Sequence, residues 1–332
     1  MLPLVLFELS NLSPQERATY LSAASSLPSL PPAGKQLPGL ASTSPSSCRG
    51  QMIMVDDRSL VDTNERVVKA VAINWLVAQR YGWSFTLVRP HQRREHPPFS
   101  VMWCKLTALA SMIRQTLTTE QQDCTWLLYI DADAFVRDAG IDLIRHVASL
   151  AEAARAEFVI SREDGGDELQ ARLEDGSPFG LREAPFLFNT GVLFVRASNW
   201  SAHFLCNWFK KRNTLCAGTG DNDLRTHWPG EQKCLDNLFE ESFLRPNESA
   251  LSGQDRRKIM HAPMTLFNSP WGRYVTHRWS GRGGESVEWA MDHELRSVYR
   301  VFNLSAFVQS TLLSDPPHSE GHLLQKRHTC DC

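Results

Sequence analysis

The sequence predicts an α/β protein: a mostly parallel sheet flanked by helices, in a single large domain. Three observations carry that expectation. Short apolar runs, MIMV (52–55), SFTLV (84–88), WLLYI (126–130) and FVI (158–160), alternate with stretches whose apolar residues recur at helical spacing. WLLYI is apolar at every position, as a strand covered on both faces must be. A chain of 332 residues with 10 Trp and 16 Phe can also bury a sizeable core.

The elements follow in order. MIMV ends in Asp56-Asp57. Asp62 and Glu65 then fit a capping box ahead of a helix with Val67, Val68, Val71, Ala72, Trp75 and Leu76 on one stripe. Gly82 ends it and SFTLV is the next strand. A second helix carries Trp103, Leu106, Ala110, Ile113 and Leu117, and leads to WLLYI. A third, with Ile141, Ile144, Val147 and Ala148, leads to FVI. Residues 161–184 are polar and glycine-containing, an exposed excursion. PFLFNTGVLFV (185–195) reads as two apolar halves about a turn at Asn189-Thr190-Gly191. Ser198 caps a helix with Trp200, Phe204, Leu205 and Trp208 on one face. The expected divisions are a flexible Ser/Pro-rich stem over 1–50, the folded domain over 51–305 and a tail over 306–332.

Composition narrows the partners. With 35 basic and 37 acidic residues the net charge is -2, and no global field favours nucleic acid or an anionic membrane. No run approaches about 18 apolar residues, so any membrane association would come through a segment outside this sequence. Eight cysteines lack the paired spacing of a zinc site; disulfides and free buried thiols both fit the count. Asn-x-Ser sequons at Asn11, Asn199, Asn247 and Asn303 favour a secretory compartment, although Asn199 also suits a helix start.

The chemistry concentrates at WLLYIDADAFV (126–136), where a buried strand ends in Asp131-Ala132-Asp133. In open α/β sheets ligands bind beyond the carboxyl ends of strands. If the strand's period of two continues, both carboxylates face one point. Two such charges repel unless a cation lies between them, and an oxygen-rich site suits Mn²⁺ or Mg²⁺. The alternative is a solvated turn that happens to carry two acids.

Six segments in order bear on that choice: NWLVAQRYGWSFTLV (74–88), VMWCKL with Lys105, LLYIDADAFV, LFNTGVLFVRASNWSAHFLCNWF, GEQKCLDNLF (230–239) and VTHRWSGRGG (275–284). Together they resemble the retaining glycosyltransferases of the GT-A fold, in particular the family of fungal α-galactosyl- and mannosyltransferases and plant xyloglucan xylosyltransferases, over roughly residues 50–285. The resemblance implies transfer of a hexose or pentose from a UDP- or GDP-sugar to a glycan or glycoprotein acceptor in the Golgi or another secretory lumen. It assigns Asp131, Asp133 and His277 to the metal. It places Asn189, Thr190, Gly191, Gly281 and Arg282, along with Asp131, at the substrates. It puts Lys105, Glu231 and Gln232 in the catalytic machinery, with Lys105 or Arg282 aiding the departing diphosphate. The family pattern is His-x-x-Gly before a basic residue; here one residue more separates His277 from Gly281.

Plainer roles stand beside these. Lys105 could solvate an exposed helix face, Glu231 and Gln232 could simply open a helix, and Gly191 could mark a bulge. Trp271, Trp279 and Phe267 could stack on sugars or fill the core. Two other functions compete. A binding protein of the same fold would hold a nucleotide-sugar or glycan without turnover. A nucleotidyltransferase would want a glycine-rich phosphate loop after the first strand, and MIMVDDRSLVD has no glycine there.

Overall fold

A computed structural model describes residues 48–56, 65–88, 101–118, 124–163, 187–218, 223–225, 230–246, 249, 251–269 and 272–277. In chain order the elements are β1 (Arg49–Val55), α1 (Glu65–Tyr81), β2 (Ser84–Val88), α2 (Val101–Thr118), β3 (Thr125–Ile130), β4 (Ala134–Val136), α3 (Leu143–Ala153) and β5 (Phe158–Arg162). They continue with β6 (Phe188–Arg196), α4 (Asn199–Lys211), α5 (Gly230–Leu244), α6 (Gly253–Arg257), β7 (Ile259–Ala262), α7 (Met264–Phe267) and β8 (Val275–His277).

Six strands form one sheet in the order β2-β1-β3-β6-β5-β7. β1 runs parallel to both β2 and β3, and β5 runs parallel to β7; only β6 runs against its neighbours. This is the mostly parallel α/β architecture that the alternating pattern predicts. Reversal of β6 has a consequence for the site: its first residues lie beside the carboxyl end of β3, so Gly191 O accepts a hydrogen bond from Asp131 N at 2.8 Å.

Side chains of the central strands alternate between two cores, one per face. Trp126, Leu128, Ile130, Val192 and Phe194 pack with α1 and α3. Leu127, Tyr129, Leu193 and Val195 pack with α2, α4 and α5. WLLYI is buried at every position because both faces are covered. α4 is capped as expected, Ser198 Oγ accepting from Ser201 N at 3.0 Å.

Two local expectations need correction, and one open choice is decided. The third helix starts at Leu143, not Ile141, because Asp142 caps it by accepting from Arg145 N at 3.1 Å. Asn189-Thr190-Gly191 is not a turn between strands: it lies within the continuous β6, and pairing with β5 slips between Ile160 and Ser161 instead. Phe267 is core, against Phe194 and Tyr274 at centroid distances of 5.1 and 5.8 Å. The Asp62 cap, Trp271 and Trp279 lie outside the described residues.

All six described cysteines are in disulfides. Cys48–Cys124 ties the start of β1 to the start of β3, and Cys216–Cys234 ties α5 to the segment after α4. With 76 and 18 residues closed, loop entropy alone puts their contributions at about 4 and about 3 kcal/mol.

Candidate functional site

The strand ends at Ile130, and a turn closed by Ala134 N donating to Asp131 O at 3.0 Å follows. The two acids therefore meet across a turn; the strand period expected to align them stops one residue earlier. β4 begins at once and pairs antiparallel with β8, placing Ala134 opposite His277. That small ribbon brings together residues separated by more than 140 positions. His277 Nε2 lies 3.3 Å from Asp133 Oδ1 and 3.7 Å from Asp131 Oδ2. One ligand atom from each of the three residues falls within 4.8 Å of the others.

Four residues that the sequence reasoning passed over hold this arrangement. Asn74, fully buried on α1, donates through Nδ2 to Ala134 O and accepts from Val136 N through Oδ1, both at 2.9 Å. It thereby satisfies the edge of β4 that β8 leaves open. Asn268 Oδ1 pairs with His277 Nδ1 at 2.5 Å while its Nδ2 donates to Asn189 O at 3.1 Å. An oxygen can only accept, so Nδ1 carries a proton and Nε2 faces the acids: it donates to Asp133 when the ring is charged, and keeps a lone pair for a cation between them when the ring is neutral. Tyr129 OH donates to Asp131 Oδ1. Gly272 allows the turn before β8: a Cβ there would lie 1.9 Å from Val275 O. Asn74 is the one that the sequence could have flagged, as a polar residue inside the apolar stripe of α1.

Gly191 has a similar reason to be glycine. A Cβ would come within 2.2 Å of His277 Cε1 and 2.9 Å of Asp131 Oδ2. Its amide donates to Asn189 Oδ1 at 3.0 Å, so that side-chain oxygen is already engaged within the protein.

Behind the acids lies a buried charged network on the α2, α4 and α5 side. Tyr129 and Lys105 share this face, with Nζ 5.1 Å from the Tyr129 ring centre. Lys105 is 2% exposed, which rules out its role as a solvated helix surface. Its ammonium lies 2.7 Å from Glu231 Oε1 and 3.7 Å from Asp131 Oδ1, and donates to Thr190 O and Oγ1 at 3.0 and 3.1 Å. Thr190 Oγ1 in turn donates to Glu231 Oε1 at 2.8 Å. Glu231 and Gln232 do lie in the first turn of α5, yet both side chains turn inward; Gln232 Oε1 accepts from Thr190 N at 3.4 Å. Trp208 Nε1 fixes the helix start by donating to Glu231 O at 2.9 Å.

Electrostatics follows from these distances. Burial opposes the charge of Lys105, but Asp131 and Glu231 outweigh it and raise its pKa. Burial pushes Asp131 up against the pull of Lys105 and His277, and Asp133 adds to the push. Burial works against a charged His277 too, but Asp133 and then Asp131 overcome it, so its pKa is raised. The pair of acids thus draws positive charge toward itself. A divalent cation fits that demand with two carboxylates and an imidazole, and the exposed fractions of Asp131 and Asp133, 30% and 44%, leave the site open on one side. Gly281 and Arg282 lie outside the described residues.

No protein-family model matches the chain, and no curated protein matches it. Among solved structures, the chain is similar to a glycosyltransferase involved in the glycosylation of the major capsid of PBCV-1, with 13% identity and a TM-score of 0.44, over 73% of this chain and 99% of that one. It is also similar to mouse xyloside xylosyltransferase 1 in its apo form, with 12% identity and a TM-score of 0.36, over 70% and 98% of the two chains.

Proposed function

We propose that this protein is a metal-dependent glycosyltransferase of the GT-A type. It would transfer a hexose or pentose from a UDP- or GDP-sugar to a glycan or glycoprotein acceptor with retention of configuration. The observation that carries the reading is the convergence of Asp131, Asp133 and His277 at the carboxyl edge of the sheet, with their ligand atoms within 4.8 Å of one another.

Those three residues would hold Mn²⁺ or Mg²⁺, which when bound supplies Lewis-acid stabilisation of the diphosphate leaving group. The chain's own residues set up the rest. Tyr129 and Lys105 fix Asp131 from behind, and Asn268 orients His277. Lys105 is held by Glu231 and Thr190, so its charge acts as a fixed buried counter-charge rather than a mobile arm reaching for phosphate. Glu231 Oε2 is buried without a hydrogen-bond partner among the described residues, an acceptor that a sugar hydroxyl would satisfy. Gly281 and Arg282 remain candidates for substrate binding, and Asn189, Thr190 and Gly191 for the acceptor side of the cleft. The disulfides suit an oxidising compartment such as the Golgi lumen. Among the described residues, no helix is long and apolar enough to cross a membrane.

The test is release of UDP or GDP from a panel of nucleotide-sugars, with Mn²⁺ or with EDTA, for the wild type and Asp133→Ala. The expected result is metal-dependent release that the substitution abolishes. Release unaffected by EDTA and by Asp133→Ala would overturn the metal assignment. Metal-dependent nucleotide binding without release, with any acceptor, would favour a binding protein instead.

A further inference from the structure

Of the four Asn-x-Ser sequons, Asn199-Trp200-Ser201 has its asparagine among the described residues; Asn11, Asn247 and Asn303 lie outside them. Two roles compete for Asn199, helix cap and glycan acceptor. The fold gives the cap to its neighbour: Ser198 has the extended backbone of an N-cap, and its Oγ accepts from Ser201 N at 3.0 Å. Asn199 is the first residue of α4 and is exposed. It heads the outer stripe of the helix with His203 and Lys210, both exposed, while Ala202, Leu205, Cys206 and Phe209 are buried on the other side. Trp200 is engaged elsewhere, its Nε1 donating to Asp255 Oδ1 at 2.6 Å and its ring stacked on Phe204. A large hydrophilic group on Asn199 Nδ2 therefore projects into solvent and displaces nothing in the core.

Position also keeps such a group clear of the cleft. β6 runs against β3, so Arg196, three residues before Asn199, pairs with Trp126 at the amino end of β3. The acids follow Ile130 at the opposite end, four residues or about 14 Å along the strand. The third residue of the sequon sets the timing. A sequon is recognised through its hydroxyl residue as well as its asparagine. Ser201 is fully buried, and its Oγ accepts from Ser198 Oγ at 3.0 Å. Both groups can be reached together only before α4 docks.

We propose that Asn199 is an N-glycan acceptor, modified on the nascent chain and carried on the folded surface clear of the acids. In the step, Nδ2 bonds to the anomeric carbon of a lipid-diphosphate-linked oligosaccharide. The bond from that carbon to the phosphate oxygen breaks, the lipid diphosphate leaves, and one Nδ2 proton passes to a base of the transferring enzyme. Entry to a secretory lumen rests on the proposed compartment, so the test supplies entry and examines the site alone. The full chain is expressed behind a secretion leader in a eukaryotic host, and Asn199 is mapped by mass spectrometry after peptide-N-glycosidase digestion in heavy-oxygen water. Most of the secreted protein should show Asn199 converted to heavy-oxygen aspartate, and Asn199→Gln should run one glycan lighter on a gel. Secreted protein with Asn199 unmodified would overturn the proposal, whatever the other sequons carry. The mapping is read on the wild type, so it stands even where the variant folds poorly. Folded chain from a host lacking the transferring enzyme should stay unmodified at Asn199 when given microsomes and a lipid-linked donor; modification there would overturn the nascent-chain timing.

Discussion

Replacing Gly191 with alanine tests how the metal site is built. The added Cβ would meet His277 Cε1 at 2.2 Å, Nδ1 at 2.7 Å and Asp131 Oδ2 at 2.9 Å, where ordinary contact begins at 3.4 Å. Something must therefore move by about 1 Å. His277 has little room to retreat: Asn268 holds Nδ1, Ser269 O accepts from its backbone N at 3.0 Å, and β4 pairs with it. Asp131 is anchored by Tyr129 and Lys105. Overpacking of this kind costs about 1–3 kcal/mol, and a chain of this size loses about 2–4 °C in Tm per kcal/mol. Displacing an oriented ligand should weaken metal binding about 10–100-fold. Mn²⁺ titration calorimetry and thermal unfolding of Gly191→Ala measure both. A cooperatively folded variant with wild-type Mn²⁺ affinity would refute the argument that His277 and Asp131 are ligands fixed by this close approach.

Three further outcomes are expected. Lys105→Met leaves Glu231 buried beside an apolar chain, so chemical unfolding should show a loss of about 3–5 kcal/mol; a loss under 1 kcal/mol would mean that the network carries no such weight. Asn268→Ala frees the His277 tautomer and should weaken Mn²⁺ binding about 10-fold or more while Tm moves little, and unchanged affinity would dismiss the orienting role. Asp236 lies buried on α5, where burial pushes its carboxyl up to about 7 despite Lys233 and the amides of Leu187 and Phe188. A raised carboxyl pKa means that the folded state holds the proton more tightly. Its contribution to stability is therefore full below the unfolded value near 4 and is lost as pH rises to 7, by about 4 kcal/mol at most. Asp236→Asn should gain stability relative to wild type between pH 4.5 and 7.5 in urea unfolding; a pH-independent difference would remove Asp236 as the source.

The sequence by itself determined the α/β class and the candidate acids. Runs such as WLLYI and the helical stripes encode burial directly, because side-chain periodicity is a local property of the backbone. The closeness of Asp131 and Asp133 was legible from their spacing alone, since two carboxylates with one residue between them share a field, although a turn and not the strand period brings them together. Tertiary structure decided what those residues could do. The burial of Lys105 depends on β6 and α5 closing over it, and nothing in VMWCKL distinguishes that from a solvated helix face. The reversal of β6 turned an apparent turn at Asn189-Thr190-Gly191 into a strand whose glycine admits His277 and Asp131. Asn74 and Asn268 gained their roles only when distant backbone arrived beside them, through a ribbon joining positions 134 and 277. Local pattern fixes which face of an element is apolar; only long-range packing fixes which polar groups meet, because those contacts depend on elements far apart in the chain.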